Sequence, residues 1–207
     1  MTETGRNVGI IGAGNVGGHL ARGLAGVGHT VTVGVRDTSS ERAMALAALD
    51  GITVASPAEA ARADIVVLAV PAPALGATIP GLGPLDGTVV VDATNAVGTP
   101  LPHGFGTLAD QVVALAPGAR VVKAFNTIGA EHLAGGAVGG VPAFLPVAGH
   151  DDGRPVVIEL AGSLGFDVAD LGGPEQFRMV EDAARLWIHL AFRGGWGRGF
   201  AFGVLRP

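Results

Sequence analysis

The chain has 207 residues, 48% of them hydrophobic, with a formal net charge of −5 and no cysteine. That length supports one substantial core, or one and a half domains. The lack of Cys excludes disulfides, thiolate metal sites and cysteine nucleophiles and fits a reducing cytoplasm; an acidic balance without a basic run argues against nucleic acid as a partner.

The first element is an apolar strand, Asn7 to Ile11, running into Gly12-Ala13-Gly14-Asn15-Val16-Gly17 and then a helix-compatible stretch from Gly18 to Leu24. Strand, complete G-x-G-x-x-G and helix, in that order, are what a dinucleotide site requires. Gly12 permits the tight turn, Gly14 leaves the backbone open to a pyrophosphate, and Gly17 lets the helix lie close on the strand with its N–H groups toward the phosphates. A second apolar run, Thr30 to Val35, ends in Arg36-Asp37. About 20 residues beyond the motif an NAD site carries an acid for the ribose 2′-OH, and an NADP site favours Arg for the 2′-phosphate. Here Arg36 comes first and Asp37 second; if the strand persisted, alternation would send them to opposite sides. Thr38, Ser39 and Ser40, with Arg42 beyond, offer hydroxyls and a cation for a phosphate pocket, and Ser39 or Ser40 also reads as a helix cap. These residues favour NADP over NAD.

Alternation of strands and helices continues. Helices are predicted over Ser40–Leu49 and Pro57–Arg62, and strands over Ile52–Ala55, Ile65–Val70, Thr88–Asp92 and Arg120–Ala124. The mean hydropathy of +0.47 raises the question of a membrane span. The uncharged stretch Ile65 to Leu85 contains Pro71, Pro73, Pro80 and Pro84, however, and reads as strand, loop and short helix. Parallel strands buried on both faces account for the hydropathy. No signal peptide is predicted. The fold class is therefore α/β, a Rossmann-type doubly wound parallel sheet with right-handed crossovers. Ligands of such sheets lie beyond the carboxyl ends of the strands. That rule singles out Ala69-Val70-Pro71, Asp92-Ala93-Thr94-Asn95 and Lys123-Ala124-Phe125-Asn126-Thr127 as exits facing the glycine loop.

Residues 1–142 are expected to form the nucleotide-binding domain and 143–207 a small α/β lobe. In the latter, Ala143 to Gly149 reads as a strand and Asp151-Asp152 as an acidic pair capping the N-terminus of the helix that follows. A short strand follows at Gly165 to Asp170. From Pro174 to Phe192 an amphipathic helix carries Phe177, Val180, Ala184, Trp187 and Ala191 on one stripe. The Gly-rich, aromatic tail from Gly194 reads equally as a packed terminal segment or as a piece closing a cofactor site or a dimer.

The chemistry is read partly from what is missing. Without Tyr, a Tyr-Lys proton relay cannot operate; the six His are scattered, and neither a G-x-S-x-G elbow nor a Walker lysine is present. No metal site is predicted. Asp92 ends a buried strand, as a loop-holder or as a general base. Lys123 lies in an apolar strand, where burial lowers a lysine pKa, and is weighed as a catalytic group on that ground. A reaction needing little acid–base help is favoured, namely direct hydride exchange between two bound redox cofactors with no catalytic side chain.

Gly12–Gly17, Gly28-His29-Thr30-Val31-Thr32-Val33-Gly34, Ala69-Val70-Pro71 and Val121-Val122-Lys123-Ala124-Phe125-Asn126-Thr127-Ile128-Gly129 together resemble the F420-dependent NADP oxidoreductase family, to which the cytosolic domain of the STEAP metalloreductases is similar. Gly149-His150-Asp151-Asp152 and Gly197-Arg198-Gly199-Phe200-Ala201-Phe202 extend the resemblance over nearly the whole chain. It implies a Rossmann domain carrying NADP(H), with the smaller lobe closing a cleft in which F420, or a flavin such as FAD or FMN, lies against the nicotinamide. Carried over by position, Gly12, Ala13, Gly14, Asn15, Val16 and Gly17 would hold the pyrophosphate. Val35, Arg36, Asp37 and Ser40 would surround the 2′-phosphate, with Arg36 as its cation. Ala69, Val70, Pro71 and Asn95 would line the nicotinamide side, and Asn126, Thr127 and Ile128 would approach the ring pair. Val35 stands where members often carry Ser, and Asn126 where archaeal F420 enzymes carry His. The partners implied are small-molecule redox cofactors, with no nucleic acid and no membrane, in a cytoplasmic homodimer. The alternatives are an NADPH-dependent flavin reductase, a small imine or carbonyl reductase, and a non-enzymatic NADP(H) sensor. Imine reductases usually add a long helical domain, and too little chain follows His150 to supply one.

Overall fold

A computed structural model of the chain describes residues 5–98, 100, 101 and 103–206. In chain order the elements are β1 (Asn7–Ile11), α1 (Asn15–Gly26), β2 (Thr30–Gly34), α2 (Glu41–Ala47), β3 (Ile52–Ala55), α3 (Pro57–Ala60), β4 (Ile65–Leu68), α4 (Leu75–Thr78) and β5 (Val89–Asp92). Then come α5 (Leu108–Leu115), β6 (Arg120–Lys123), the two-residue strands β7 (Ala137–Val138) and β8 (Val141–Pro142), β9 (Phe144–Gly149), α6 (Arg154–Ser163), β10 (Asp167–Asp170) and α7 (Phe177–Phe192).

Eight strands form one sheet in the order β10-β9-β6-β5-β4-β1-β2-β3, and β7 pairs with β8 apart from it. From β3 to β6 every pairing is parallel. The order reverses direction at β1 and β4, the topological switch point where a doubly wound sheet opens a crevice. β9 joins β6 antiparallel, with Val122 opposite Gly149, and β10 runs parallel to β9. The segment expected as a small lobe thus extends the same sheet by two strands.

Burial follows from this layering. Every residue of β4 and β5 is buried, as are all residues of β1 after Asn7. On one face Ile65, Val67, Val89 and Val91 pack with Leu20 and Leu24 of α1 and with Val157 and Leu160 of α6. On the other, Val66, Leu68 and Val90 pack with Leu75, Val112, Phe177 and Val180. Each such aliphatic side chain withdrawn from water contributes about 1.5–3 kcal/mol, which is why a hydropathy high enough to suggest a membrane belongs to a sheet covered on both sides. No described helix is long and apolar enough to cross a membrane.

Local chemistry sets the boundaries. Ser56 and Glu59 form a reciprocal capping box on α3, whose first residue is Pro57. β4 stops at Leu68, two residues short of expectation, because Pro71 cannot continue a ladder. Asp151 and Asp152 do not cap α6: the cap is Gly153, and Asp151 pairs with Arg154 at 2.6 Å. The predicted stripe of α7 is the buried one, and the Trp187 indole N–H donates to the Phe200 carbonyl at 3.0 Å. The tail is packed rather than loose. Phe200 stacks on Trp187, the Phe144 N–H donates to the Phe202 carbonyl at 2.8 Å, and Arg198 pairs with Glu131.

Candidate functional site

At the switch point the chain leaves β1 through Gly12, whose φ of 111° lies in the region open to glycine, and whose N–H donates to the Gly34 carbonyl at 2.9 Å. Gly14 is the N-cap of α1, supplies no side-chain cap, and no acid occupies the first turn. The first N–H groups of a twelve-residue helix are therefore left to an incoming acceptor, with the positive end of the helix dipole behind them. A Cβ on Gly17 would lie 2.0 Å from the Gly12 carbonyl oxygen, whereas one on Gly14 would meet nothing within 4 Å. Gly17 is needed by the fold, and Gly14 by whatever occupies the space in front of it.

Gly12, Ala13, Gly14, Val35, Arg36, Asp37, Ser40, Ala69, Val70 and Pro71 line one cleft of about 350 Å³. Ile11 and Gly34, together with Pro57 and Thr78, which the sequence did not single out as site residues, complete it. Asn15 faces an adjoining groove of about 180 Å³, shared with Ala13, Gly14, His19, Arg22 and Arg42. Val16 is half-buried and Gly17 buried beneath the loop.

The condition under which Arg36 and Asp37 would point to opposite sides is not met. β2 ends at Gly34, strand alternation no longer applies, and both residues line the same cleft. Their roles differ nonetheless. Asp37 Oδ1 accepts from the Ser39 N–H at 2.9 Å and the Ser39 hydroxyl at 2.6 Å, which holds its carboxyl below the usual carboxylate range. Ser40 caps α2 by backbone position only, its hydroxyl donating instead to the Asp37 carbonyl at 2.9 Å. The acid is engaged in building the turn. Arg36 and Arg42, by contrast, have no ion-pair partner among the described residues.

Further along the same edge, the exits of β5 and β6 are closed. Asp92, Thr94, Lys123, Asn126 and Thr127 are all buried. Lys123 Nζ donates to Asp92 Oδ2 at 2.8 Å and to the Thr94 carbonyl at 2.7 Å, and lies 3.3 Å from Glu181 Oε1. Asp92 Oδ1 accepts from the Thr94 N–H at 2.9 Å and its hydroxyl at 2.7 Å. Asp92 is thus a loop-holder, and Lys123, weighed as a catalytic group, has its ammonium donors occupied. Asn95 Nδ2 donates to the Asn126 carbonyl at 2.9 Å, and Asn95 lines a separate cleft of about 320 Å³ between the 95–106 loop and α7. Asn126, Thr127 and Ile128 are buried at the exit of β6 rather than gathered with the glycine loop. The side-chain amide of Asn126 and the hydroxyl of Thr127 have no partner among the described residues. Glu181 had no local signal: on α7 it reads as one more residue of a polar face.

The family model described as NADP oxidoreductase, coenzyme F420-dependent, matches residues 7–96. A solved structure of a protein assigned as an F420-dependent NADP-reductase, from Arthrobacter sp. fb24, superposes with a TM-score of 0.83 at 28% identity, covering 98% of this chain and 100% of that one. The metalloreductase STEAP3 of Rattus norvegicus is 28% identical over 178 residues, 84% of this chain and 35% of that protein, so the chain spans about a third of that relative. A reductive aminase from Aspergillus terreus, solved with NADPH and ethyl levulinate, shares the fold at 22% identity and a TM-score of 0.70 over 93% of this chain and 64% of that one. From β1 past the exit of β5 the chain is similar to that family model, and over nearly its whole length it shares the fold of a protein assigned as an F420-dependent NADP-reductase.

Proposed function

We propose that this protein transfers hydride directly between NADP(H), held across the glycine loop, and a deazaflavin of the F420 type at the exits of β5 and β6. The donor set fits a dinucleotide. Gly14 fronts open space, the first turn of α1 carries no acid, and Arg36 and Arg42 bracket a turn in which the Asp37 carboxylate is already engaged. The uncapped amides of α1 would hold the pyrophosphate and Arg36 the 2′-phosphate, with Arg42 beside it. Bound NADPH supplies the hydride, and the chain's task is alignment and exclusion of water.

The observation that carries the reading is the saturation of Asp92 and Lys123. The titratable groups buried at the strand exits are bonded to one another and leave no proton free for general acid–base work. A hydride passed from ring to ring needs none from them. A second reading, reduction of a small imine or carbonyl, is favoured by one feature: the 320 Å³ cleft beside Asn95 has the size for a small organic molecule, and Glu181 on its wall carries a carboxyl.

The test is NADPH oxidation followed at 340 nm with F420, FAD, FMN, a cyclic imine, or no acceptor. Turnover with F420 and not with the others is the expected result. Turnover with a flavin moves the protein to the flavin-reductase alternative, and turnover with the imine to the second reading. Tight NADPH binding with no acceptor reduced supports a sensor.

A further inference from the structure

An ammonium group with no exposed surface costs several kcal/mol of desolvation unless every donor is met. Lys123 meets that condition: three donors face three oxygens, from the β5 carboxylate Asp92, the Thr94 carbonyl of the loop after it, and Glu181 of α7. Two carboxylates against one ammonium leave a negative excess. It is offset at α5, where Glu181 Oε1 also accepts from the Leu108 N–H at 2.8 Å and the Ala109 N–H at 3.3 Å. One buried cluster therefore ties together β5, β6, α5 and α7.

Well-packed apolar side chains usually stabilise such a site as well or better, so the cluster calls for a reason other than stability. Its surroundings supply one. Glu181 lines the 320 Å³ cleft, and so does Asn95, the residue after Thr94, so the cluster forms one wall of that cleft and adjoins another. Two residues after Lys123, Phe125 adopts φ 61°, the one positive value among the described non-glycine residues, a conformation that persists only where its surroundings enforce it. Next come the Asn126 amide and the Thr127 hydroxyl, buried and without partners among the described residues. Backbone strain and unsatisfied polar atoms follow the clamp directly in the chain.

We infer that Lys123 is a positioning residue for hydride transfer. Its ammonium sets the spacing between the β5 and β6 exits and the α7 wall, and so holds Asn126 and Thr127 ready for the ring that enters between them. The inference rests on the proposed function in taking the strand exits as the place of reaction. The test uses the whole chain with Lys123→Met and Glu181→Gln. The second variant keeps an oxygen for the α5 amides and leaves Lys123 with Asp92 as a neutral pair, so it serves if Lys123→Met does not fold. For Lys123→Met, kcat is expected to fall about 10²-fold, as small misplacements do. NADPH affinity should stay within about twofold, since the glycine loop is a separate site. Glu181→Gln should lower kcat by about tenfold, the loss of one charge-assisted contact. Wild-type kcat in either folded variant, or equal losses in kcat and NADPH affinity, overturns the inference. Amide exchange of Thr94 and Leu108 supplies a readout without turnover. Faster exchange of Thr94 in Lys123→Met is expected, and unchanged protection overturns the clamp even if the wild-type chain reduces no acceptor, an outcome that would by itself defeat only the proposed function.

Discussion

At the exits of β1, β2 and β4 the cleft and its adjoining groove are lined by glycines, bare helix N–H groups and the guanidiniums of Arg36 and Arg42, which no carboxylate among the described residues meets. At the exits of β5 and β6, on the same edge of the same sheet, ammonium, carboxylates and carbonyl are buried and bonded to one another. The first region owes its character to side chains that are absent and charges left unpaired, which is how a surface attracts a polyanion. The second owes its character to charges already matched. That makes it a poor acid or base and a rigid support. A site that exchanges hydride between two cofactors needs both properties side by side.

The contrast can be broken most forcefully within the glycine loop. Gly17→Val would set a side chain 2.0 Å from the Gly12 carbonyl oxygen and 3.2 Å from Ile10 Cγ2. A loss of about 3 kcal/mol or more is expected, read as a fall in Tm of roughly 10 °C. An unchanged Tm would mean that α1 does not depend on this close approach. Gly14→Val should behave oppositely. Its backbone is extended, with φ −69° and ψ −169°, and the new side chain meets no protein atom, so stability should stay within about 1 kcal/mol. NADPH binding by calorimetry should disappear. Binding that survives Gly14→Val would remove the pyrophosphate from this loop.

Arg36→Ala sharpens the electrostatic half of the comparison. Loss of a charge-assisted contact of ~2 kcal/mol should weaken NADPH about 30-fold and leave NADH nearly unaffected. Equal losses for both nucleotides would show that Arg36 does not meet the 2′-phosphate. The smallest effect concerns the tail. The Arg206 guanidinium, hydrogen-bonded to Asp167 at 2.7 and 2.9 Å, holds that carboxyl below the usual carboxylate range. With the native value depressed, the contribution is full above the unfolded-state value and is lost as pH falls through the depressed one. Amide protection of the last described residues, taken relative to the intrinsic exchange rate at each pH, should therefore be constant between about pH 5 and 8 and fall only in stronger acid. Loss of protection near neutrality would point to another anchor.

The positions of the glycines, the strand exits and the α7 stripe were legible because each is a local or periodic property. Gly12 turns a strand, apolar residues recur at helical spacing, and Pro71 ends a ladder. The orientation of Arg36 and Asp37 stayed open because where β2 releases its last residue depends on its neighbours, β1 and β3. Asp151 and Asp152 were misjudged as caps because Arg154 competes for Asp151.

What the sequence determined by itself is the open half of the site, since a missing side chain and an unshielded helix end are written into a few consecutive residues. The closed half was decided by tertiary structure alone. Lys123 and Glu181 lie far apart in the chain, on a strand and a helix whose meeting depends on how α7 packs across the sheet, and no local pattern marks either as the other's partner. The physical reason is range: backbone conformation and periodic burial are set by near neighbours, whereas the neutralisation of a buried charge is set by whatever the fold brings within about 3 Å of it.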